Sequence, residues 1–170
     1  YEAGKFVGFI MYEAKGEKLE YLCHAKLPQN LGRDWGRFDF QNSQSLDLRK
    51  KLCFNIAAAI FQIHSLGNYV MVDMKPDNIM VQPNGLISII DVDSVEVIQN
   101  NKVLFSAPVA TPEYIPPEYY KGLKPEKELI PETWDRFSLS VIFYRLLSGI
   151  HPFIGTCKPP FDTINDASGK

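Results

Sequence analysis

The chain has 170 residues, 45% of them hydrophobic and 22% charged, with a formal net charge of -2 and a pI near 5.9. That length accommodates one domain with a sizeable core. The charge balance gives no basic surface for nucleic acid; Lys121, Lys124 and Lys127 form a loose cluster that reads as a solvated face. No run reaches the roughly 18 apolar residues of a membrane span. Tyr1-Glu2-Ala3-Gly4 has neither the basic start nor the long apolar run of a leader.

In chain order, Lys5–Met11 is apolar, aromatic and β-branched and predicts a strand. Tyr12 to Leu19 contains Gly16 and reads as a connector; residues 20–44, broken by Pro28, Gly32 and Gly36, read as irregular with room for one short helix. Ser45 to Leu66 is the clearest helix. Leu48, Leu52, Ile56, Ala59, Ile60 and Ile63 form one stripe, Ser45 is placed to cap it, Asp47 favours its dipole and Gly67 ends it. Tyr69–Val72, Asn78–Val81 and Leu86–Ile90 are short apolar runs, the last two joined at Pro83-Asn84-Gly85 as a hairpin. Val95–Ile98 predicts one more strand, residues 99–118 read as mostly loop, and Thr133–Ser148 is apolar nearly all round, as in a central buried helix. Gly149 and Pro152 stop that helix, and 155–170 is polar.

Cys23, Cys53 and Cys157 are odd in number, far apart and without a CxxC pair, which suits reduced thiols in the cytoplasm. His24, His64 and His151 have no metal-ligand spacing, and His64 at a helix end reads as packed or capping.

The chemistry gathers in Val70-Met71-Val72-Asp73-Met74-Lys75-Pro76-Asp77-Asn78 and in Ile89-Ile90-Asp91-Val92-Asp93. Phosphoryl transfer from a nucleotide needs a carboxylate to orient the attacking hydroxyl, a cation against the γ-phosphate, and an amide and second carboxylate for magnesium. Asp73, Lys75, Asn78 and Asp91 are candidates for those four roles in that order. For Asp73 alone a turn or cap aspartate would be the simpler reading; the joint spacing carries the catalytic one.

This pair of segments resembles the protein kinase pattern H-R-D-L-K-P-E-N followed by D-F-G. Thr111-Pro112-Glu113-Tyr114-Ile115-Pro116-Pro117-Glu118 resembles G-T-x-x-Y-x-A-P-E, and Ser148 to Phe153 resembles the G-x-x-P-F that ends a kinase helix. The resemblance covers about residues 6–154. It implies an α+β, mainly α kinase C-terminal lobe over 20–170 with a small β-hairpin at the site. Residues 1–19 would be the last strand of the small lobe and the hinge.

It also implies ATP and Mg2+ as cofactors and a serine/threonine hydroxyl of a protein as substrate. Met11, Glu13, Ala14 and Met80 would line the adenine site and Thr111 would seat the substrate by bonding Asp73 or Lys75. Glu118 would pair with a later buried Arg, and Asp135 would bind backbone amides of the catalytic loop.

Met71 and Val72 replace the His-Arg pair, so a phosphate on the activation segment lacks its usual arginine. Val92 and Asp93 replace Phe and Gly of D-F-G; Asp93 reads as a turn residue or an added metal ligand, and D-x-D-S is similar to divergent bacterial kinase-like families. No G-x-G-x-x-G loop, Val-Ala-x-Lys strand or αC glutamate is found, Lys26 being a poor substitute, so the small lobe is expected elsewhere in a longer parent polypeptide. Two other readings stand beside the kinase: a small-molecule kinase of the aminoglycoside or choline type, and a pseudokinase or docking module without catalysis.

Overall fold

The computed structural model describes residues 4–5, 12–108, 110–120 and 129–154. Most of the expected Lys5–Met11 strand, Met11 as an adenine contact, Cys157, the three clustered lysines and the polar stretch 155–170 lie outside those residues. The described part combines helices with two small antiparallel sheets.

Helix α1 spans Ser45–Ser65 and buries Leu52, Ile56 and Ile60, four residues apart on one face. Gly67 ends it with φ 72, its N–H bonding the His64 carbonyl at 2.8 Å. The N-terminus departs from expectation. Gln44 occupies the cap position, while Ser45 is already helical and sends its hydroxyl to the Phe38 carbonyl at 2.8 Å. The competitor that wins is a cluster around Arg49, which is fully buried. Its guanidinium donates to Phe38 O from Nη2 at 2.6 Å, and from Nη1 to both Leu22 O and Leu146 O at 2.5 Å. Phe40 lies beneath it, 3.8 Å from ring centroid to guanidinium. These bonds go to carbonyls and Ser45 rather than to a carboxylate, and burial lowers the Arg49 pKa to about 10.

Residues 20–44 hold two 3-10 turns, Leu19–Cys23 and Arg33–Phe38, instead of one short helix. They bury Leu19, Leu22, Trp35 and Phe38 against α1. Helix α3, Thr133–Ser148, has the expected bounds but not the expected all-round burial: Trp134, Asp135, Ser138, Leu139, Val141, Ile142 and Leu146 are inside, whereas Tyr144 and Leu147 are exposed. Its buried Leu139, Val141, Ile142 and Leu146 pack in the core with α1 and the 3-10 turns. Gly149 caps α3 at φ 75, and a Cβ there would come within 2.9 Å of the Ala25 Cα, so conformation and space both require glycine.

Strand β1 (Glu17–Lys18), within the expected connector, pairs antiparallel with β3 (Ile79–Val81), and β3 pairs with β4 (Ile87–Ile89). The β3–β4 hairpin is the one expected around Pro83-Asn84-Gly85. A second sheet joins β2 (Tyr69–Val70), β5 (Glu96–Gln99) and β6 (Lys102–Phe105) in the order β2-β5-β6. Strand β6 falls where a loop was expected. Asn100 and Asn101 both take positive φ, 52 and 58, and supply the tight hairpin turn. A short helix, α2, spans Pro117–Tyr120.

The core runs between α1, α3, the 3-10 turns and the first sheet, through Leu22, Phe38, Leu52, Ile56, Met74, Ile79, Ile142 and Leu146. Burying each such side chain contributes about 1.5–3 kcal/mol. A second cluster of Val70, Val72, Ile115, Ile130 and Trp134 lies under the segment that carries Thr111.

Candidate active site

Between β2 and β3 the chain makes a sharp reversal. Val72 is left-handed, with φ 63, and the Asp73 N–H bonds the Met71 carbonyl two residues back at 2.7 Å. An i to i+2 bond around a positive φ marks the rare, strained form of γ-turn. A β-branched residue there costs on the order of 1–3 kcal/mol and persists only where surroundings over-determine it. The surroundings are α3. The Asp135 carboxyl, fully buried, accepts the Met71 N–H at 2.8 Å and the Val72 N–H at 2.9 Å. His64, from the end of α1, bonds the same carboxyl through Nε2 at 2.8 Å. The indole N–H of Trp134 donates to the Val72 carbonyl at 3.0 Å.

That turn delivers Asp73, itself buried, to a dense polar cluster. Its Oδ1 accepts the Thr111 N–H at 2.8 Å and the Thr111 hydroxyl at 2.6 Å. Its Oδ2 accepts Lys75 Nζ at 2.8 Å, and Lys75 also donates to Thr111 Oγ1 at 3.1 Å. Asn78 Nδ2 donates to the Asp73 carbonyl at 3.0 Å. Burial pushes the Asp73 carboxyl up, but the hydrogen bonds from Lys75 and Thr111 outweigh it and hold the group below the ordinary aspartate range.

Asp91 follows β4. The Ile90 N–H bonds the Asn78 carbonyl at 2.9 Å, which brings the end of that strand beside Asn78. Asp91 is exposed and left-handed, with φ 56. Asp93 is exposed in the 3-10 turn Val92–Ser94. Among the described residues no group of three or more His, Cys, Asp or Glu could hold a metal by itself. Asn78 and Asp91 offer two hard oxygens, a set that suits a cation whose remaining ligands come from phosphate and water.

Other expected residues fall further out. Glu13 and Ala14 lie in the irregular stretch before β1, and Met80 is half-buried in β3, its register partner in β1 being Lys18. Glu118 is exposed in α2, with no arginine partner among the described residues.

Two features escaped the sequence reading. Arg145 of α3 grips Glu20 through both Nη atoms, Nη2 at 2.6 Å and Nη1 at 2.8 Å, and also bonds the Tyr114 hydroxyl. Burial pushes the Tyr114 hydroxyl up to about 12. Glu20 and Arg145 are 125 positions apart, so no local pattern announces the pair. The other is Trp134, which reads as a core residue on helical spacing and spends its N–H on the loop.

The family model for the protein kinase domain matches residues 19–165. Mouse serine/threonine-protein kinase MRCK gamma is 36% identical over 115 residues, 67% of this chain and 7% of that protein. Human serine/threonine-protein kinase MRCK alpha is 33% identical over 115 residues, again 67% and 7%. Rat citron rho-interacting kinase is 32% identical over 108 residues, 62% and 5%. The chain thus spans 5–7% of the length of these relatives.

Proposed function

Because the chain belongs to the protein kinase domain family, we propose that it supplies the catalytic loop for ATP- and magnesium-dependent phosphorylation of serine or threonine hydroxyls in a protein substrate. The observation that carries this reading is the Asp73 carboxylate held by Lys75 and Thr111, with Asn78 bonded to the same residue. Residues 20–170 correspond on this reading to the C-terminal lobe, and residues 1–19 to the hinge and the strand leading into it.

Bound Mg-ATP supplies the transferable phosphoryl group and the neutralisation of its charge. Asp73 orients the substrate hydroxyl and accepts its proton at a carboxylate oxygen. Lys75 keeps its ammonium beside the acceptor, where negative charge accumulates. Asn78 has its amide nitrogen committed to Asp73, which leaves the amide oxygen to face a cation, with the Asp91 carboxylate as second ligand. Thr111 ties the substrate-seating segment to the base, so base and substrate move as one unit. That Thr111 link, within a segment 38 residues beyond Asp73, favours a protein hydroxyl over a small alcohol.

The test is transfer of labelled γ-phosphate by the full-length protein to a serine/threonine peptide panel and, in parallel, to small alcohols. Asp73→Asn and Asp91→Ala are each expected to lower transfer at least a hundredfold. Undiminished transfer by Asp91→Ala would remove the metal assignment, and transfer confined to small alcohols would replace the protein substrate. No transfer by the unmodified protein would leave a docking role.

A further inference from the structure

We propose that Trp134 is a positioning residue for Asp73, holding the strained Val72 peptide so that the carboxylate meets Thr111. The inference rests on the reading of Asp73 as the base, and its test separates the two.

Val72 has both of its backbone groups tied to consecutive residues of one helix. Its N–H goes to Asp135 and its C=O to the Trp134 indole N–H, at 2.9 and 3.0 Å. The peptide plane that joins Val72 to Asp73 is held from within the turn by the Asp73 N–H on the Met71 carbonyl at 2.7 Å. The indole bond holds the opposite edge of the same plane from α3, and so fixes the turn against that helix. A left-handed valine would otherwise relax toward negative φ and swing Asp73 with it.

The same indole reaches the other partner of the base. Trp134 clusters with Ile115 and Ile130, on either side of α2, and meets the Tyr119 ring of α2 edge-on with centroids 5.9 Å apart. Ile115 is four residues beyond Thr111. One rigid ring, only 2% exposed, therefore contacts both the turn that aims Asp73 and the segment that presents Thr111. The Val72 side chain packs in the same apolar cluster as the ring.

The experiment uses the full-length protein with Trp134→Phe, which keeps most of the packing and removes the donor. As a second variant, benzothienylalanine at position 134 keeps the full shape of the ring and removes only the N–H. Thermal unfolding establishes that each is folded. The deciding readout is hydrogen exchange at the Thr111 amide followed by nitrogen-15 NMR, because that N–H donates to the Asp73 carboxylate and reports the contact directly. Both variants are expected to speed that exchange about tenfold and to lower kcat about tenfold with KM for ATP within about twofold. Thr111 exchange and kcat unchanged in the folded benzothienylalanine variant overturn the proposal. If the unmodified protein transfers no phosphate, the proposed function fails and the Thr111 exchange decides this inference alone: faster exchange sustains it, no change overturns it.

Discussion

Asp135→Ala removes the acceptor for three donors at once: the Met71 and Val72 amides and the His64 ring. Asp135 is wholly buried, so water does not replace the carboxyl without the structure opening. An unpaired buried donor costs about 1–3 kcal/mol. Three donors at about 1.5 kcal/mol each give roughly 4–5 kcal/mol, a large share of the 5–15 kcal/mol typical of a domain. For a chain of this size that corresponds to a fall of roughly 10–15 °C in the unfolding midpoint. Asp135→Asn keeps the volume and one acceptor but turns an NH2 toward another donor, so about half of that loss is expected. Combined with His64→Phe in a double-mutant cycle, Asp135→Ala should display a coupling of about 1–2 kcal/mol, because the two side chains share one bond. The assay is urea unfolding followed by circular dichroism, read as the change in midpoint at constant slope. A loss below about 1 kcal/mol for Asp135→Ala would refute the claim that this carboxyl holds the strained turn.

Other outcomes follow from the same contacts. Lys75→Ala removes a bond that holds the Asp73 carboxyl low, so NMR titration should find that carboxyl higher than in the parent. The sign is fixed: a depressed carboxyl contributes stability that is present above its unfolded value, near 3.9, and lost as pH falls through the folded one. Lys75→Ala should therefore destabilise more at pH 7 than at about pH 2, and equal losses would contradict the pairing. Thr111→Val keeps the shape but deletes the hydroxyl to Asp73; steady-state kinetics should find kcat down about tenfold and stability down by about 1 kcal/mol. Glu96 is fully buried, accepts the Ile130 N–H at 2.9 Å, and is pushed up by burial. Its stabilising contribution is complete below the unfolded value, near 4.3, and declines as pH rises through the folded one. Glu96→Gln should flatten that decline in urea titrations run across the pH range.

The parts of the fold written in periodicity were legible. The stripe of α1, the bounds of α3 and the β3–β4 hairpin follow from spacing and turn residues, because those signals are local. Strand β6 was not foreseen because prolines nearby outweighed Asn100-Asn101, whose shared tolerance of positive φ was the available clue. Ser45 was misread as a cap because its competitor, the Phe38 carbonyl, depends on Arg49 being buried. At the site, Asp73, Lys75, Asn78 and Thr111 could be named from motif spacing, and the structure brings those four together. The Glu20–Arg145–Tyr114 bonds, the strain at Val72 and the indole bond of Trp134 have no sequence signature, since each arises only after distant segments meet.

Arg49 has a consequence for the order in which the chain acquires its structure. Its carbonyl partners lie at positions 22, 38 and 146, the last 97 residues downstream. During synthesis at about 5–20 residues per second, Arg49 is made roughly 5–20 s before Leu146. Until then Arg49 has its Phe38, Ser45 and Leu22 acceptors and lacks only the Leu146 carbonyl, so α3 completes the shell of acceptors around a cation that α1 already carries.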